Sequence, residues 1–244
     1  MINLSLLKGR VLRVATSTLI ICSNFAFASN DIPTGNISAS PGLVKVGTLP
    51  TLTWEIKYPS KVKDYVDIDY PGEVIPKQNL KAEIRVLGAG VTSSYADGSH
   101  LTFVHTEAYF SYNNSRWSKV FAGTNWDVRQ GDVVESLTVK QNRSLRFGAR
   151  YWFNNRWSNF YSSNDGTNNV RVLVNGDTPP TTYPLSTAPS LEDFIKPYLD
   201  SGGRVRIGPM DVIVMMELTH TDAQANQTGY DLQDMVFLVT FKPL

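Results

Sequence analysis

The sequence predicts an all-β protein, organised as an antiparallel β-sandwich with a small C-terminal α+β extension. Apolar and polar residues alternate in many short segments, which is the pattern of half-buried strands. Gly, Pro and Asn clusters separate these segments as turn signals. Only one short segment, after Ser190, has the apolar spacing of a helix.

The first 28 residues have the composition of a secretory signal peptide. The pattern comprises a cationic segment with Lys8, Arg10 and Arg13, a short apolar run at Val14–Phe25, and the cleavage motif Ala26-Phe27-Ala28. The apolar run is shorter than the roughly 18 residues that a membrane-spanning helix needs. We therefore expect cleavage near Ser29, a periplasmic, secreted or cell-surface location, and no stable membrane span afterwards.

Cysteine usage and charge exclude several function classes. The one cysteine, Cys22, lies within the predicted signal peptide, so the mature chain has no disulfide, thiolate metal site or cysteine nucleophile. Bulky residues precede Cys22, which disfavours a lipoprotein. Without the three basic residues of the signal peptide, 20 basic residues remain against 22 acidic ones. This balance argues against nucleic-acid binding, which relies on a basic surface.

The predicted sandwich occupies residues 29–176. Near its start, Ser40-Pro41 is followed by Val44-x-x-Gly47 and by an alternating segment in which Leu52, Trp54 and Ile56 share a face. This order resembles the opening strands of bacterial immunoglobulin-like domains. Residues 146–163 resemble the penultimate strand and following loop of a fibronectin type III-like domain. Both resemblances imply an immunoglobulin-like sandwich, and neither implies a function.

Paired asparagines predict two tight hairpin turns within this domain. Asn113-Asn114 and Asn154-Asn155 each fall between aromatic-rich runs, and asparagine tolerates the positive φ of such turns. The predicted strands of the region are Leu80–Leu87, Leu101–Tyr112, Trp117–Phe121, Val133–Val139, Leu145–Phe153, Arg156–Tyr161 and Val170–Val174.

A Pro/Thr-rich linker is predicted at residues 177–189, followed by an extension at 190–244 with a short helix and a β-hairpin. Asp211–Thr219 is apolar on both faces and is predicted to be a central strand, and Met235–Phe241 is predicted to pair with it. The loop His220–Asp234 between them is long, and long loops are often functional or disordered.

Aromatic residues between positions 109 and 161 are the strongest functional signal. Trp and Tyr rings can stack on sugar faces, with Arg and Asn side chains supplying hydrogen bonds. The alternative is that the tryptophans belong to the sandwich core. The candidate carbohydrate-binding residues are Tyr109, Tyr112, Arg116, Trp117, Trp126, Trp152, Arg156, Trp157 and Tyr161.

Metal and hydrolase chemistry have weaker signals. Asp64, Asp67 and Asp69 in one acidic segment, and Asp222 and Asp231 in the long loop, are candidate Ca²⁺ ligands, although neither group has EF-hand spacing. The first carboxylates to test for glycoside hydrolysis are Glu107, Asp127, Asp132 and Glu135, and His105 beside Glu107 is a conceivable acid/base pair.

These signals favour an exported, non-enzymatic protein with a structural, adhesive or binding role at the cell surface or in the periplasm. The alternative is a carbohydrate-binding module, and a glycoside hydrolase is the third hypothesis. No nucleotide, zinc-hydrolase or dinucleotide motif is present, so no cofactor is expected. The expected partner is a polysaccharide or another envelope protein, and no nucleic acid.

Overall fold

The computed structural model describes residues 34–39, 52–57, 61–69, 72–94, 101–183 and 191–244. The predicted signal peptide, most of the first immunoglobulin-like motif and residues 184–189 of the predicted linker lie outside the described residues. In the described part of the chain, no helix is both long and apolar enough to cross a membrane.

Two large antiparallel sheets pack as a sandwich, which confirms the predicted all-β class. Strands are numbered in chain order. The first sheet contains, in spatial order, β10 (Glu135–Val139), β5 (Leu80–Gly88), β16 (Met235–Pro243), β15 (Asp211–Met216) and β14 (Val170–Val174). The second contains β3 (Val66–Asp69), β4 (Glu73–Pro76), β11 (Leu145–Phe153), β8 (Thr106–Tyr112) and β9 (Ser118–Gly123), with β12 (Arg156–Trp157) and β13 (Tyr161–Ser162) paired to β11.

Smaller elements complete the described structure. Two further strand pairs are β1 (Thr34–Ala39) with β2 (Leu52–Lys57), and β6 (Thr92–Ser94) with β7 (Leu101–Phe103). The helices are α1 (Val62–Tyr65) and α2 (Leu191–Ile195), with 3-10 turns at Asn125–Asp127, Lys196–Tyr198 and Asp222–Gln224.

The main core lies between the two sheets. Alternate residues of β5 and β11 point inward because successive side chains of a strand face opposite sides. Ile84 of β5 and Ala149 of β11 are completely buried there. The rings of Phe147 and Phe237 meet from opposite sheets at 5.3 Å between centroids. Burial of these side chains is the main contribution to the stability of the sandwich.

A second apolar cluster covers the outer face of the five-stranded sheet. Phe194 and Ile195 of α2, with neighbouring residues up to Ile207, pack onto outward side chains such as Met215 of β15. A Cβ atom at Gly88 would lie 2.3 Å from the ring of Phe194, so only glycine allows this close approach. Residues 191–207 therefore form a lid over this sheet.

The predicted extension contributes central strands to the sandwich. β15 pairs with both β14 and β16, and its residues from Val212 onward are buried, which confirms the prediction of a central strand covered on both faces. β14 and β15 are neighbours in one sheet although the predicted linker separates them in sequence. Residues 177–189 therefore connect two strands of the same sheet, and the division of the chain into domains stays a prediction.

Both asparagine pairs adopt the predicted turn conformation. Asn113 and Asn114 have φ of 52° and 57°, and Asn154 and Asn155 have φ of 50° and 58°. Two consecutive positive φ values are typical of the type I′ hairpin turn.

The predicted strand Arg156–Tyr161 is wrong in one respect, because it divides into β12 and β13. Between them, Ser158 accepts a hydrogen bond at its Oγ from the Tyr151 amide and donates its own amide hydrogen to the Tyr151 carbonyl oxygen. This contact ends the regular pairing of β12 with β11.

Candidate functional site

The clustered tryptophans lie at the surface of the molecule rather than in the core. Of the four clustered tryptophans, none is buried, and the exposed fractions of Trp126 and Trp152 are 77% and 39%. Trp117 and Trp157 are half-buried among other surface side chains. The choice between core and surface that the sequence left open is therefore decided in favour of the surface.

A buried carboxylate organises the outward face of β8 and β11. Glu107 lies opposite Arg150 in the strand register and accepts hydrogen bonds at Oε2 from Arg150 Nε and Nη2, at 3.0 and 2.8 Å. Lys119 Nζ donates to Oε1 at 2.8 Å, and the Tyr109 hydroxyl donates to Oε2. Burial raises the pKa of Glu107, but the hydrogen bonds from Lys119, Tyr109 and Arg150 outweigh it and lower the pKa to about 2.

The same arginine holds the aromatic rings in place. The guanidinium carbon of Arg150 lies 4.2 Å from the ring centroid of Trp157, a cation-π distance. Trp157 also meets Trp152 edge to face at 5.1 Å, in agreement with their pairing between β11 and β12. Trp157 is thus fixed from two sides.

A second aromatic group lies farther along this face. Phe160 packs over Gly148, where a Cβ atom would lie 2.4 Å from its ring, and it contacts Trp117 and Tyr109 at 5.0 and 5.6 Å between centroids. The glycine therefore makes room for Phe160 between the outward residues of β11.

An open groove of about 410 Å³ lies where β11 runs beyond the sandwich, which we call the strand-end groove. Tyr151 and Phe153 continue the inward side of β11, and the Asn154-Asn155 turn then brings Arg156 and Trp157 back beside them. The described residues that line the groove are Tyr151, Phe153, Arg156, Trp157, Ser158, Asn159, Tyr161, Leu218, Thr219 and Thr221. Among the predicted carbohydrate-binding residues, Arg156, Trp157 and Tyr161 meet in this groove.

No protein-family model matches this chain, and no curated protein or solved structure matches it either. The resemblance to immunoglobulin-like and fibronectin type III-like domains therefore stays a prediction.

The floor of the strand-end groove is organised by Glu217, which follows β15 and is fully buried. Its Oε1 accepts hydrogen bonds from the amide and hydroxyl of Thr219 at 3.0 and 2.6 Å, and from the His220 amide at 3.0 Å. Its Oε2 accepts from the amides of Asp231 and Leu232 at 2.9 and 3.3 Å. One carboxylate therefore ties both ends of the long loop together.

Leu232 has a φ of 55°, a conformation that a bulky residue rarely adopts. Together with Asp231 it directs two successive amide hydrogens at Glu217, an arrangement that forms an anion-binding nest. The hydrogen bonds to Glu217 offset the backbone strain at Leu232, which is of the order of 1–3 kcal/mol.

Two more carboxyl groups surround Glu217. Asp234 Oδ2 accepts hydrogen bonds from the Leu218 and Thr219 amides at 2.7 and 3.1 Å. Burial, followed by the charge of Glu217, raises the pKa of Asp231 to about 7 and that of Asp234 well above its ordinary value. Burial also raises the pKa of Glu217, but hydrogen bonds from His220, Thr219 and the Asp231 amide outweigh it, and the net shift is downward. Glu217 is thus the ionised member of the cluster.

The remaining carbohydrate candidates lie elsewhere. Tyr112 packs against the core, and its hydroxyl oxygen accepts a hydrogen bond from the Lys140 amide at 2.7 Å. Arg116 is exposed between β8 and β9. Trp126 lies in a 3-10 turn, with its ring 5.3 Å from that of Phe103. These three residues do not line the strand-end groove.

The structure does not unite the Ca²⁺ candidates. Asp64 and Asp69 are exposed, and Asp67 forms an ion pair with Lys77 at 2.8 Å. Asp222 accepts a hydrogen bond from Asn168, whereas Asp231 belongs to the buried cluster beside Glu217. Within the described ranges, no group of three His, Cys, Asp or Glu side chains has a geometry suited to a metal ion.

The hydrolase candidates are also dispersed. Glu107 is engaged on the outward face of β8, and Asp127 accepts the Thr124 amide and hydroxyl as a cap. Asp132 is exposed in a loop, and Glu135 lies on β10 of the other sheet. His105 contacts the ring of Trp157 at 6.1 Å between centroids. None of these residues lines the strand-end groove.

Sequence analysis missed Tyr151, Phe153, Thr219 and Thr221 as site residues. Thr221 lies in the long loop that was singled out by its length, which was a usable signal. For Tyr151 and Phe153, the signal was their shared side of an alternating strand that extends past its partners.

Proposed function

We propose that this chain is an exported, non-enzymatic β-sandwich protein that binds a saccharide in the strand-end groove. The observation that carries the proposal is the convergence of four aromatic residues with hydroxyl and amide side chains in one open groove. Tyr151, Phe153, Trp157 and Tyr161 supply the rings, and Ser158, Asn159, Thr219 and Thr221 supply the polar groups.

This chemistry suits a sugar ring, which has apolar C–H faces and hydroxyl groups around its edge. Aromatic side chains offer flat apolar surface, and tyrosine and tryptophan add a polar atom at the ring edge. The groove volume of about 410 Å³ lies within the usual range for small-ligand sites. A short saccharide therefore fits both the size and the composition of the groove.

The groove is also held in shape before any ligand binds. Arg150 and Trp152 fix Trp157 from the outer side, and Glu217 fixes Thr219 from below. Preorganised side chains lose less conformational entropy on binding, which favours affinity.

Carboxylate placement supports binding without hydrolysis. Glycosidases use two carboxyl groups that flank the scissile bond at roughly 5 to 10 Å from each other. Among the residues that the structure describes, no Asp or Glu lines the groove. The carboxyl groups beneath it, on Glu217, Asp231 and Asp234, are buried and engaged by backbone amides or by Gln233.

The signal-peptide pattern at residues 1–28 supports export. A polysaccharide of the cell envelope or its surroundings is the corresponding partner. Binding to such a polymer would give the protein the adhesive role predicted from its sequence.

The test is calorimetric titration of the purified protein with a panel of neutral and acidic oligosaccharides. We expect binding by the parent protein and a loss of at least about tenfold in affinity for Trp157→Ala, which removes a groove wall. Because Trp157 also supports Arg150, Asn159→Ala provides a second variant at an exposed lining position.

The matched control is Trp126→Ala, since Trp126 is highly exposed and lies outside the groove. The control should bind as the parent does. Absence of binding across the whole panel, or an equal loss for Trp126→Ala, would contradict the proposal.

A further inference from the structure

A second groove of about 380 Å³ adjoins the strand-end groove. It is lined by Val91, Thr92, Ser93, Val104, Tyr151, Phe153 and Thr219. Tyr151, Phe153 and Thr219 belong to both linings. The two grooves therefore lie on either side of one ridge, formed by the end of β11 and by Thr219.

The far wall of the second groove is a structured part of the fold. Val104 donates its amide hydrogen to the Val91 carbonyl oxygen at 2.8 Å, next to the pairing of β6 with β7. Ser93 and Thr102 face each other across this pair, with 3.2 Å between their hydroxyl oxygens. The wall thus presents apolar side chains beside hydroxyl groups, as the first groove does, and none of its described lining residues is charged.

Thr219 has a defined hydrogen-bonding role at the ridge. The Thr219 hydroxyl donates to Glu217 Oε1 at 2.6 Å. Towards other groups, its oxygen therefore acts as a hydrogen-bond acceptor. His220 Nδ1 lies 2.8 Å from the same oxygen. A ligand that crosses the ridge would pass an oriented oxygen acceptor, which suits a sugar hydroxyl.

From this continuity we infer that the ligand is a linear saccharide of at least two units, which crosses the Tyr151–Phe153 ridge and places one unit in each groove. This inference rests on the proposed saccharide-binding function. Because Tyr151, Phe153 and Thr219 line both grooves, the two grooves are close enough for adjacent units of one chain. One saccharide chain would contact the ridge side chains and fill both grooves.

The test compares ligand lengths on the unaltered protein. Calorimetric titration would use one series of neutral oligosaccharides, from the monosaccharide to the hexasaccharide, of the type that binds best in the panel. We expect affinity to rise by about tenfold or more from one unit to two or three, and then to level off. Equal affinity for the monosaccharide and the longer chains would overturn the inference and leave the proposed function standing.

A variant then assigns the gain to the second groove. Thr92→Trp places a large side chain in that groove and should reduce the affinity for the trisaccharide to that of the monosaccharide, without changing monosaccharide binding. Ser93→Phe is the second blocking variant, and Thr138→Trp is the control, because Thr138 is exposed on β10 of the other sheet and lies outside the lining. Near-ultraviolet circular dichroism would show which variants keep the native fold.

The outcomes separate the two proposals. If folded Thr92→Trp and Ser93→Phe proteins retain the full chain-length gain, the second groove is not used and the inference is wrong. If no member of the series binds the parent protein, the proposed function fails as well.

Discussion

The outer faces of the two sheets differ in composition and in burial. The five-stranded sheet is covered by α2 and the segments that follow it, and the side chains beneath this lid are buried. On the outer face of the seven-stranded sheet, the described residues include the buried Glu107, the half-buried Arg150 and the exposed Trp152. A sheet needs a covering segment only where its second face is apolar. A face with charged and polar side chains can stay in contact with water and is available for binding.

The difference originates in single strands. β15 places apolar residues at every position from Val212 to Met216, so both of its faces must leave water. In β11, by contrast, Phe147, Ala149 and Tyr151 alternate with Arg146, Gly148 and Arg150. The charged side chains of β11 form ion pairs at the surface, so this face of the sheet needs no covering segment.

The largest loss of stability should follow from a substitution in the lid over the five-stranded sheet. Phe194→Ala removes a ring that is 4% exposed and packed on Gly88, and we expect a loss of about 3–5 kcal/mol in the free energy of unfolding. Trp126→Ala, at an exposed aromatic outside the lid, should cost no more than about 1 kcal/mol. Urea denaturation measures both, and equal losses would show that the lid does not stabilise the sheet.

The second-largest loss of stability should follow from a substitution of Glu217. Glu217→Gln replaces a carboxylate that accepts five backbone and side-chain hydrogen bonds from the described loop residues, so we expect a loss of about 3 kcal/mol. Glu135→Gln is the matched control, because Glu135 accepts only the neighbouring Ser136 amide among its described contacts. A Glu217→Gln protein as stable as the control would refute the role assigned to this carboxylate.

The pH dependence of stability should have opposite signs for two sets of ionisable groups. The pKa of Asp231 is raised to about 7, so its stabilising contribution is complete below its ordinary pKa and disappears as the pH rises through 7. The raised pKa values of Asp234 and His220 act in the same direction. Glu107, with a pKa lowered to about 2, and Glu217 stabilise the fold above their ordinary pKa and lose that contribution as the pH falls.

From pH 5 to pH 8 we therefore expect the free energy of unfolding to decrease, with a slope of up to about 1.4 kcal/mol per pH unit for each proton lost. Urea denaturation at several pH values measures this slope. Asp231→Asn, which cannot titrate, should flatten it. An increase in stability over this range would contradict the assignment of protonated carboxyl groups beneath the groove.

The smallest effect should come from a charge on the open face. The Lys119 side chain is 48% exposed, so Lys119→Met should cost less than about 1 kcal/mol, although it removes an ion pair with Glu107. The same change should raise the pKa of Glu107, since Lys119 is its largest stabilising partner. NMR titration of the Glu107 carboxyl carbon tests this, and an unchanged pKa would show that Arg150 and Tyr109 hold the carboxylate without Lys119.

Local features of the fold could be predicted because they depend on neighbouring residues. Asn113-Asn114 and Asn154-Asn155 were recognised as turns from their tolerance of positive φ, and β5 was recognised from its alternation. The placement of β16 between β5 and β15 could not be predicted, since pairing partners far apart in the chain leave no local pattern.

The site could be predicted only in part. Arg156, Trp157 and Tyr161 were identified by residue type and reach the strand-end groove. Alternation along β11 indicates that Tyr151 shares the side of Phe147 and that Trp152 shares the side of Arg150, but it does not show that either side forms part of a groove. Thr219 lies about 60 residues later in the chain, and the sequence does not show that it is close to these residues in space.

The central position of β16 has a consequence for how the chain folds. Arg85 of β5 donates a hydrogen bond to Thr240 of β16 although 155 residues separate them. Until β16 is in place, β5 and β15 each have an unpaired edge, and such edges promote aggregation. Structures dominated by distant pairings fold in milliseconds to seconds. Removal of β16 should therefore leave a chain that exposes both of these edges and aggregates.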